Sequence, residues 1–421
     1  MKSGLAPFLT DLFSWNKNMP KGDVFIRGMM LFNILFFLSQ FEILVQLFFV
    51  LQMLVALYFI RFFTLKGLVH LPFLPMVLFM LLLLWTIFIC RNCFSSLKMA
   101  THFLFLPYNY VCLLMPFILI PFAKLENLPK YLKFIIKTIK LSVVLLVILS
   151  PYMIKKWQGS EDDMAISRQL FEVINLYLNG GLMFAILVQK YLTKKDRLLV
   201  NIAAFLSIIC AAYFARRGVL LSYLVTVAFT LLINFHFKKH SSRFFSVLKY
   251  AIVVLIVALF VLSFGELLFT NLYERMEYDS RTGVELELLD QMTTTGDMTF
   301  GRGYAGSYYS EFIDPDGIER EGIETGYLHL ILKGGIVYLV LMSLTFIPAV
   351  ILGFFKSKNF YMKMLSSFAL IFIIFFNVAN SNITFSIRYF MFLIVIHILY
   401  NPKYRKMSDK EVENCLISIA R

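Results

Sequence analysis

Arg216 and Arg217 stand together in front of Gly218, inside an apolar run from Leu198 to Phe235. A charge at membrane depth costs about 2.5–3.5 kcal/mol on insertion scales, so it persists mainly where it is paired or functional. The planar guanidinium fork matches phosphate oxygens, and glycine lets the backbone turn tightly beside a ligand. The simpler reading is a tight hairpin whose two arginines reach up to lipid headgroups.

Three further clusters lie downstream. Arg281 sits in Tyr278-Asp279-Ser280-Arg281-Thr282-Gly283, ahead of a stretch from Val284 to Asp290 with helical character. Taken alone it reads as a surface ion pair with Asp279 or Glu285, which contributes little. Phe300-Gly301-Arg302-Gly303-Tyr304-Ala305-Gly306 is rich in glycine and marks an irregular backbone. It is no dinucleotide fingerprint, because no strand–helix unit surrounds it. Glu324-Thr325-Gly326-Tyr327-Leu328-His329 then runs into Lys333-Gly334-Gly335. Residues 326–332 suit a short half-helix, broken at Gly334-Gly335. Glu324 falls at its N-terminus, where an anion is favoured and where a carboxylate can act as a general base. His329 follows about one and a half turns later, and a single histidine in a span more commonly packs than catalyses.

The elements that must position these groups are membrane helices. The chain is 59% hydrophobic and 16% charged, with a mean hydropathy of +0.76, against about 25% charged residues in a soluble domain. The apolar residues fall into runs of a length that crosses a hydrocarbon core. We read an all-α polytopic membrane protein of about 12 transmembrane helices, near 24–39, 43–61, 71–90, 102–122, 135–153, 170–189, 198–214, 218–235, 250–269, 327–354 (broken), 363–379 and 384–399. Residues 1–22 read as a cytoplasmic interfacial N-terminus without a cleaved signal peptide, 23–399 as the transmembrane domain and 400–421 as a cytoplasmic tail. With both termini inside, most basic clusters fall on the cytoplasmic side, as the positive-inside bias requires. The acidic stretch 270–326 then becomes one long outer loop. Arg91 and Lys98 land outside against that bias, so either the span count slips locally or these cations have work there; Arg168 and Arg388 are outer cations too. The formal charge of +14 lies mostly at span ends. It therefore points to topology and anionic lipids, not nucleic acid. The five cysteines make no metal set, and Cys90-Arg91-Asn92-Cys93 has a CxxC spacing without a supporting context.

In order and spacing, Arg217-Gly218, Arg281, Gly301-Arg302-Gly303 and the stretch from Glu324 to Gly335 resemble the O-antigen ligase and O-antigen (repeat-unit) polymerase superfamily of bacterial envelope enzymes. The likeness covers roughly 198–355. It implies a glycosyltransferase C-like fold in the bacterial cytoplasmic (inner) membrane, with the active site on the periplasmic face. The implied donor is a lipid-linked oligosaccharide on polyprenyl diphosphate, and no cofactor or metal is needed. By the same resemblance Arg217, Arg216 and Arg281 hold the diphosphate and Glu324 is the base. Arg302, Tyr304, Tyr327 and His329 line the sugars, and Arg91, Lys98, Arg168 and Arg388 are auxiliary cations. Partners implied are membrane lipids, a chain-length regulator and a flippase. Ligases carry a histidine where this chain has Glu324, two or three residues before a Tyr-Leu pair, which favours a polymerase. The alternatives are a ligase acting on finished polysaccharide and a transporter of the lipid-linked unit. A transporter more typically shows internal repeats and a midplane site, and no repeat is visible here.

Overall fold

The computed structural model describes residues 21–39, 45–94, 107–237, 280–312, 317–378 and 383–417. Helices carry nearly all of its regular structure. They are α1 (Lys21–Leu38), α2 (Val45–Ile60), α3 (Phe73–Ile89), α4 (Pro107–Ile118), α5 (Leu128–Trp157), α6 (Glu161–Val173), α7 (Leu182–Leu187), α8 (Lys194–Tyr213) and α9 (Arg217–Phe237). Beyond the stretch 238–279 come α10 (Ser280–Thr295), α11 (Gly326–Phe355), α12 (Phe360–Val378), α13 (Ile387–Tyr400), α14 (Pro402–Lys406) and α15 (Asp409–Ile417). Among the described residues the only sheet is a hairpin of β1 (Tyr308–Ser310) and β2 (Ile318–Arg320), antiparallel with Tyr309 opposite Glu319.

Among the described residues three helices are long and apolar enough to cross a membrane: Phe73–Asn92, Lys194–Tyr213 and Gly326–Phe355. Four shorter apolar helices accompany them: Val45–Ile60, Arg217–Ile233, Phe360–Phe375 and Ile387–Tyr400. The expected span 250–269, the N-terminal residues 1–20 and Lys98 lie outside the described residues. Span 135–153 falls within α5, whose exposed Lys133, Lys137 and Lys140 recur at helical spacing and give one face a basic stripe. The expected span 170–189 is not one helix. α6 passes into a π-helical turn at Ile174–Leu178, and the chain then breaks at Asn179-Gly180-Gly181 before α7 begins. Buried polar groups explain the break. The Asn179 side chain accepts from Ser142 Oγ at 3.3 Å and donates to Ser207 Oγ at 2.7 Å, bonds between helices that a regular turn would not reach.

The main core is aromatic and aliphatic. α13 is buried from Ile387 to Tyr400 except at Arg388, and α1, α11 and α12 supply partners from the same cluster. Phe392 stacks on Phe372 with centroids 4.2 Å apart. His397 lies flat on Phe79 and hydrogen-bonds the Pro116 carbonyl at 2.7 Å.

The feature that orders one end of the bundle is the interruption of α11. Gly335 has φ 72° and ψ −178°, so the expected half-helix ends there and a second segment starts. Such a break leaves buried backbone groups that must find other partners. The glycine loop after α10 supplies most of them. Arg302 N donates to Leu332 O at 2.8 Å and Gly303 N to Lys333 O at 2.9 Å. Met298 O accepts from Ile336 N at 2.8 Å and Thr299 O from Val337 N at 3.4 Å. Trp85 Nε1 donates to Gly334 O at 2.9 Å. The fit leaves no room for side chains: a methyl on Gly301 would lie 2.5 Å from the Gly335 nitrogen, and one on Gly335 would run into Thr299 O.

Gly335→Ala combines a left-handed backbone with that collision. It is expected to lower unfolding free energy by at least about 2 kcal/mol, read from denaturation in detergent. A change within about 0.5 kcal/mol, the range of neutral surface substitutions, would contradict this account of the break.

Candidate functional site

Around the interruption a second tier of contacts fixes the glycine loop. Lys333, buried, donates from Nζ to Tyr304 O at 2.7 Å and Gly306 O at 2.9 Å. From the end of α3, Arg91 Nη2 donates to Gly301 O at 2.6 Å, Asn92 Nδ2 to Arg302 O at 2.7 Å, and Ile89 O accepts from Tyr304 N at 2.8 Å. Arg91 also stacks on Phe88. The cation that broke the charge rule thus has a task, which is to neutralise loop carbonyls.

Arg302 is likewise committed to the loop. Its guanidinium pairs with Asp297 at 2.9 Å and donates to Ser307 O at 2.7 Å and Thr295 Oγ1 at 3.1 Å. The Asp297 carboxyl is held below the usual carboxylate range. Burial works upward, but hydrogen bonds from Thr295 and Arg302 and the charges of Arg302 and Arg91 outweigh it.

α10 and the hairpin sit over the start of α11. Glu287 accepts from Ser310 Oγ at 2.5 Å and from the amides of Glu311 at 3.1 Å and Phe312 at 2.9 Å. Gln291 exchanges two bonds with Tyr309, at 2.6 and 3.0 Å. Glu285 accepts from Thr325 Oγ1. Val284, Leu288 and Met292 pack on Tyr308, Ile323, Leu328 and Leu332 in a separate small core. Through these contacts α10 carries Arg281 to the N-terminus of α11, where its Nη2 meets Glu324 Oε2 at 2.6 Å.

Arg216 joins the same neighbourhood from the α8–α9 turn. It pairs with Glu172 of α6 at 2.9 Å. Burial pulls its guanidinium below the ordinary arginine range, the charges of Glu172 and Glu324 oppose this, and Arg281 reinforces it. Two arginines and two carboxylates therefore share one charge field, drawn from four separate segments. The turn that aims Arg216 is strained: Ala215 has φ 52°, a left-handed backbone on a residue with a side chain. Outliers of this kind are held in place by their surroundings and gather at functional sites. Arg216 Nε is buried with no hydrogen-bond partner among the described residues.

The sequence candidates therefore separate. Arg281 and Glu324 meet directly, and Arg216 lies within their charge field. Arg217 is exposed, with no ion pair among the described residues. Arg302 and Tyr304 hold the loop by the contacts above. Tyr327 is exposed at the start of α11, and His329 is half-buried with its Nδ1 unpartnered among the described residues. Arg168 lies over the Trp157 ring at 4.7 Å, one turn from Glu172, and Arg388 lies near Tyr223, whose hydroxyl donates to Asn175 at 2.6 Å. Glu172, Trp85 and Asn92 were not singled out from sequence. The one signal available for Glu172 is a carboxylate at the edge of the apolar run 170–189.

No family model, no curated protein and no solved structure matches this chain.

Two predictions follow from the charges. The Arg281–Glu324 pair is exposed, with side chains 49% and 66% accessible, and such pairs contribute about 0–1 kcal/mol. Arg281→Ala and Glu324→Gln should each leave unfolding free energy within about 1 kcal/mol of the parent; a loss above about 3 kcal/mol would make the pair structural. Asp297 is different, because its carboxyl is depressed by folding. Its contribution is present above its unfolded value of about 3.9 and disappears as pH falls through the lower folded value. The stability gap between the parent and Asp297→Asn, read by thermal denaturation, should be full at neutral pH and shrink steadily below about pH 4.

Proposed function

We propose that this chain is a membrane glycosyltransferase that polymerises oligosaccharide repeat units carried on polyprenyl diphosphate. The observation that carries the reading is the Arg281–Glu324 ion pair at the head of a broken, membrane-length helix, within the charge field of Arg216. The leaving group of such a donor is an anionic diphosphate, and preorganised cations stabilise charge as it develops there. Arg216 and Arg281 supply two guanidinium forks, and Arg217 adds an exposed third. An ionised carboxylate accepts hydrogen bonds from hydroxyl groups, which suits Glu324 to the acceptor sugar.

The reaction is a displacement. The acceptor hydroxyl attacks the anomeric carbon, the carbon–oxygen bond to the diphosphate breaks, and lipid diphosphate leaves. The hydroxyl proton passes to Glu324. Both arginines already have carboxylate partners, so the donor phosphates must exchange with Glu172 and Glu324. The exposed Arg281–Glu324 pair is weak enough to permit that exchange, and it frees Glu324 as the diphosphate binds. Tyr327, exposed near Glu324, and His329, on the same half-helix, are the candidates for contacting sugar rings. The proposed setting is the periplasmic face of a bacterial cytoplasmic membrane, with the glycosyltransferase C-like arrangement of about 12 spans that the sequence suggests. Glu324 in place of a ligase's histidine favours polymerisation over ligation.

Arg216→Ala, Arg281→Ala and Glu324→Gln, scored by the surface-polysaccharide ladder with protein level checked in membranes, test the reading. Each is expected to collapse the ladder to a single repeat unit, a loss of at least about a hundredfold in long chains. Arg217→Ala should weaken it less. Long chains of normal length from all of the first three would sink the proposal. Accumulation of lipid-linked polymer absent from its final acceptor would mark a ligase.

A further inference from the structure

The Cys90-Arg91-Asn92-Cys93 turn is left unused by the reaction above. We propose that Cys90 and Cys93 form a reversible disulfide that pins the turn clasping the glycine loop. The pairing does not depend on glycosyl transfer.

Geometry brings the sulfurs together. Residues 90–92 form a single 3-10 turn closed by Cys93 N donating to Cys90 O at 3.1 Å. In such a turn residues i and i+3 lie on one side, and each thiol is within electrostatic range of the other. Residues three apart in a tight turn fall within the Cα separation of about 4.4–6.8 Å that a disulfide bridges. Accessibility is graded: Cys90 is half-exposed and Cys93 is fully buried. An incoming oxidant meets Cys90 first, and Cys93 is shielded behind it. Cys112, buried as well, and Cys210 and Cys415, half-exposed, are all free thiols.

The position of the pair gives the bond a consequence. The two residues it would enclose are the clasp itself, Arg91 to Gly301 O and Asn92 to Arg302 O. Lys333, which grips the same loop at Tyr304 and Gly306, lies within charge range of Cys93. Closing the bond fixes the turn and so restricts both clasping side chains on one side of the loop, while Lys333 holds the other.

The oxidant is a disulfide, either a small molecule or a thiol–disulfide oxidoreductase. The Cys90 thiolate attacks one of its sulfurs and expels one thiol. The Cys93 thiolate then attacks Cys90 Sγ in the mixed disulfide and expels the second. Two thiol protons are released to solvent or to the departing thiolates, two electrons reduce the oxidant to two thiols, and a reducing dithiol reverses the sequence.

The test uses the full chain in detergent, treated with oxidised glutathione or with a reductant, then denatured and labelled with a maleimide. With five cysteines in the chain, the expected mass shows five labels after reduction and three after oxidation (5 − 2 = 3). Cys90→Ser and Cys93→Ser should each carry four labels under both conditions (5 − 1 = 4). Hydrogen exchange at the Gly303 and Tyr304 amides should slow on oxidation by about threefold or more. Five labels after oxidation, a serine variant that still loses two labels, or exchange unchanged by the bond would each overturn the proposal.

Discussion

A helix that stops inside a packed bundle leaves backbone amides and carbonyls that water cannot reach, and each costs about 1–3 kcal/mol if left unpaired. That constraint governs this end of the molecule. The interruption at Gly335 is tolerated because Arg302, Gly303, Met298, Thr299 and Trp85 replace the missing helical bonds. In doing so they tie α3, α10 and both parts of α11 into one unit. Non-helical backbone away from water survives only where protein satisfies it, and the tight mutual approach of Gly301 and Gly335 buries it in that way.

Two kinds of electrostatics are kept apart in space. Cations at the interruption, Lys333 and Arg91, donate to carbonyl oxygens and are consumed by the architecture. Cations above it, Arg216 and Arg281, face carboxylates on accessible side chains. Hydrogen bonds from charged donors in buried surroundings are worth about 1.5–3 kcal/mol, while an exposed ion pair is worth a fraction of that. The first set gives rigidity and the second gives exchangeable charge. Arg302 belongs to the first set despite its exposed-looking sequence context, since Asp297 and the Ser307 carbonyl occupy its fork.

The backbone framework was partly legible in the sequence, whereas the assignment of Arg91 and Arg302 to the loop was not, since both were expected at the site. The Gly334-Gly335 break, the helical stretch after Arg281 and the place of Glu324 all follow from local rules about glycine and helix ends, and the structure has them. Local rules did not reveal the hairpin over residues 308–320, because three-residue strands carry no usable period. Nor did they reveal which arginine of the Arg216-Arg217 pair turns inward. That choice is made by the left-handed backbone at Ala215, a tertiary outcome with no signature in an alanine. The span read at 170–189 failed as a single helix for a related reason: Asn179 trades regular helix for partners on Ser142 and Ser207, and those partners are remote in sequence. Glu172 was missed because one carboxylate at the edge of an apolar run gains meaning only beside Arg216.

The clasp on the glycine loop also orders the biosynthesis of the molecule. Chains emerge and fold from the N-terminal side first. Trp85, Arg91 and Asn92 are made some two hundred residues before the carbonyls they serve, with separations of 249, 210 and 210 positions. Until residues 301–334 have been synthesised, the end of α3 is a set of donors awaiting acceptors, and Glu172 and Arg216 face each other without Arg281 or Glu324. The charge cluster is thus among the last things to be completed, assembled only once segments far apart in the chain have all been made.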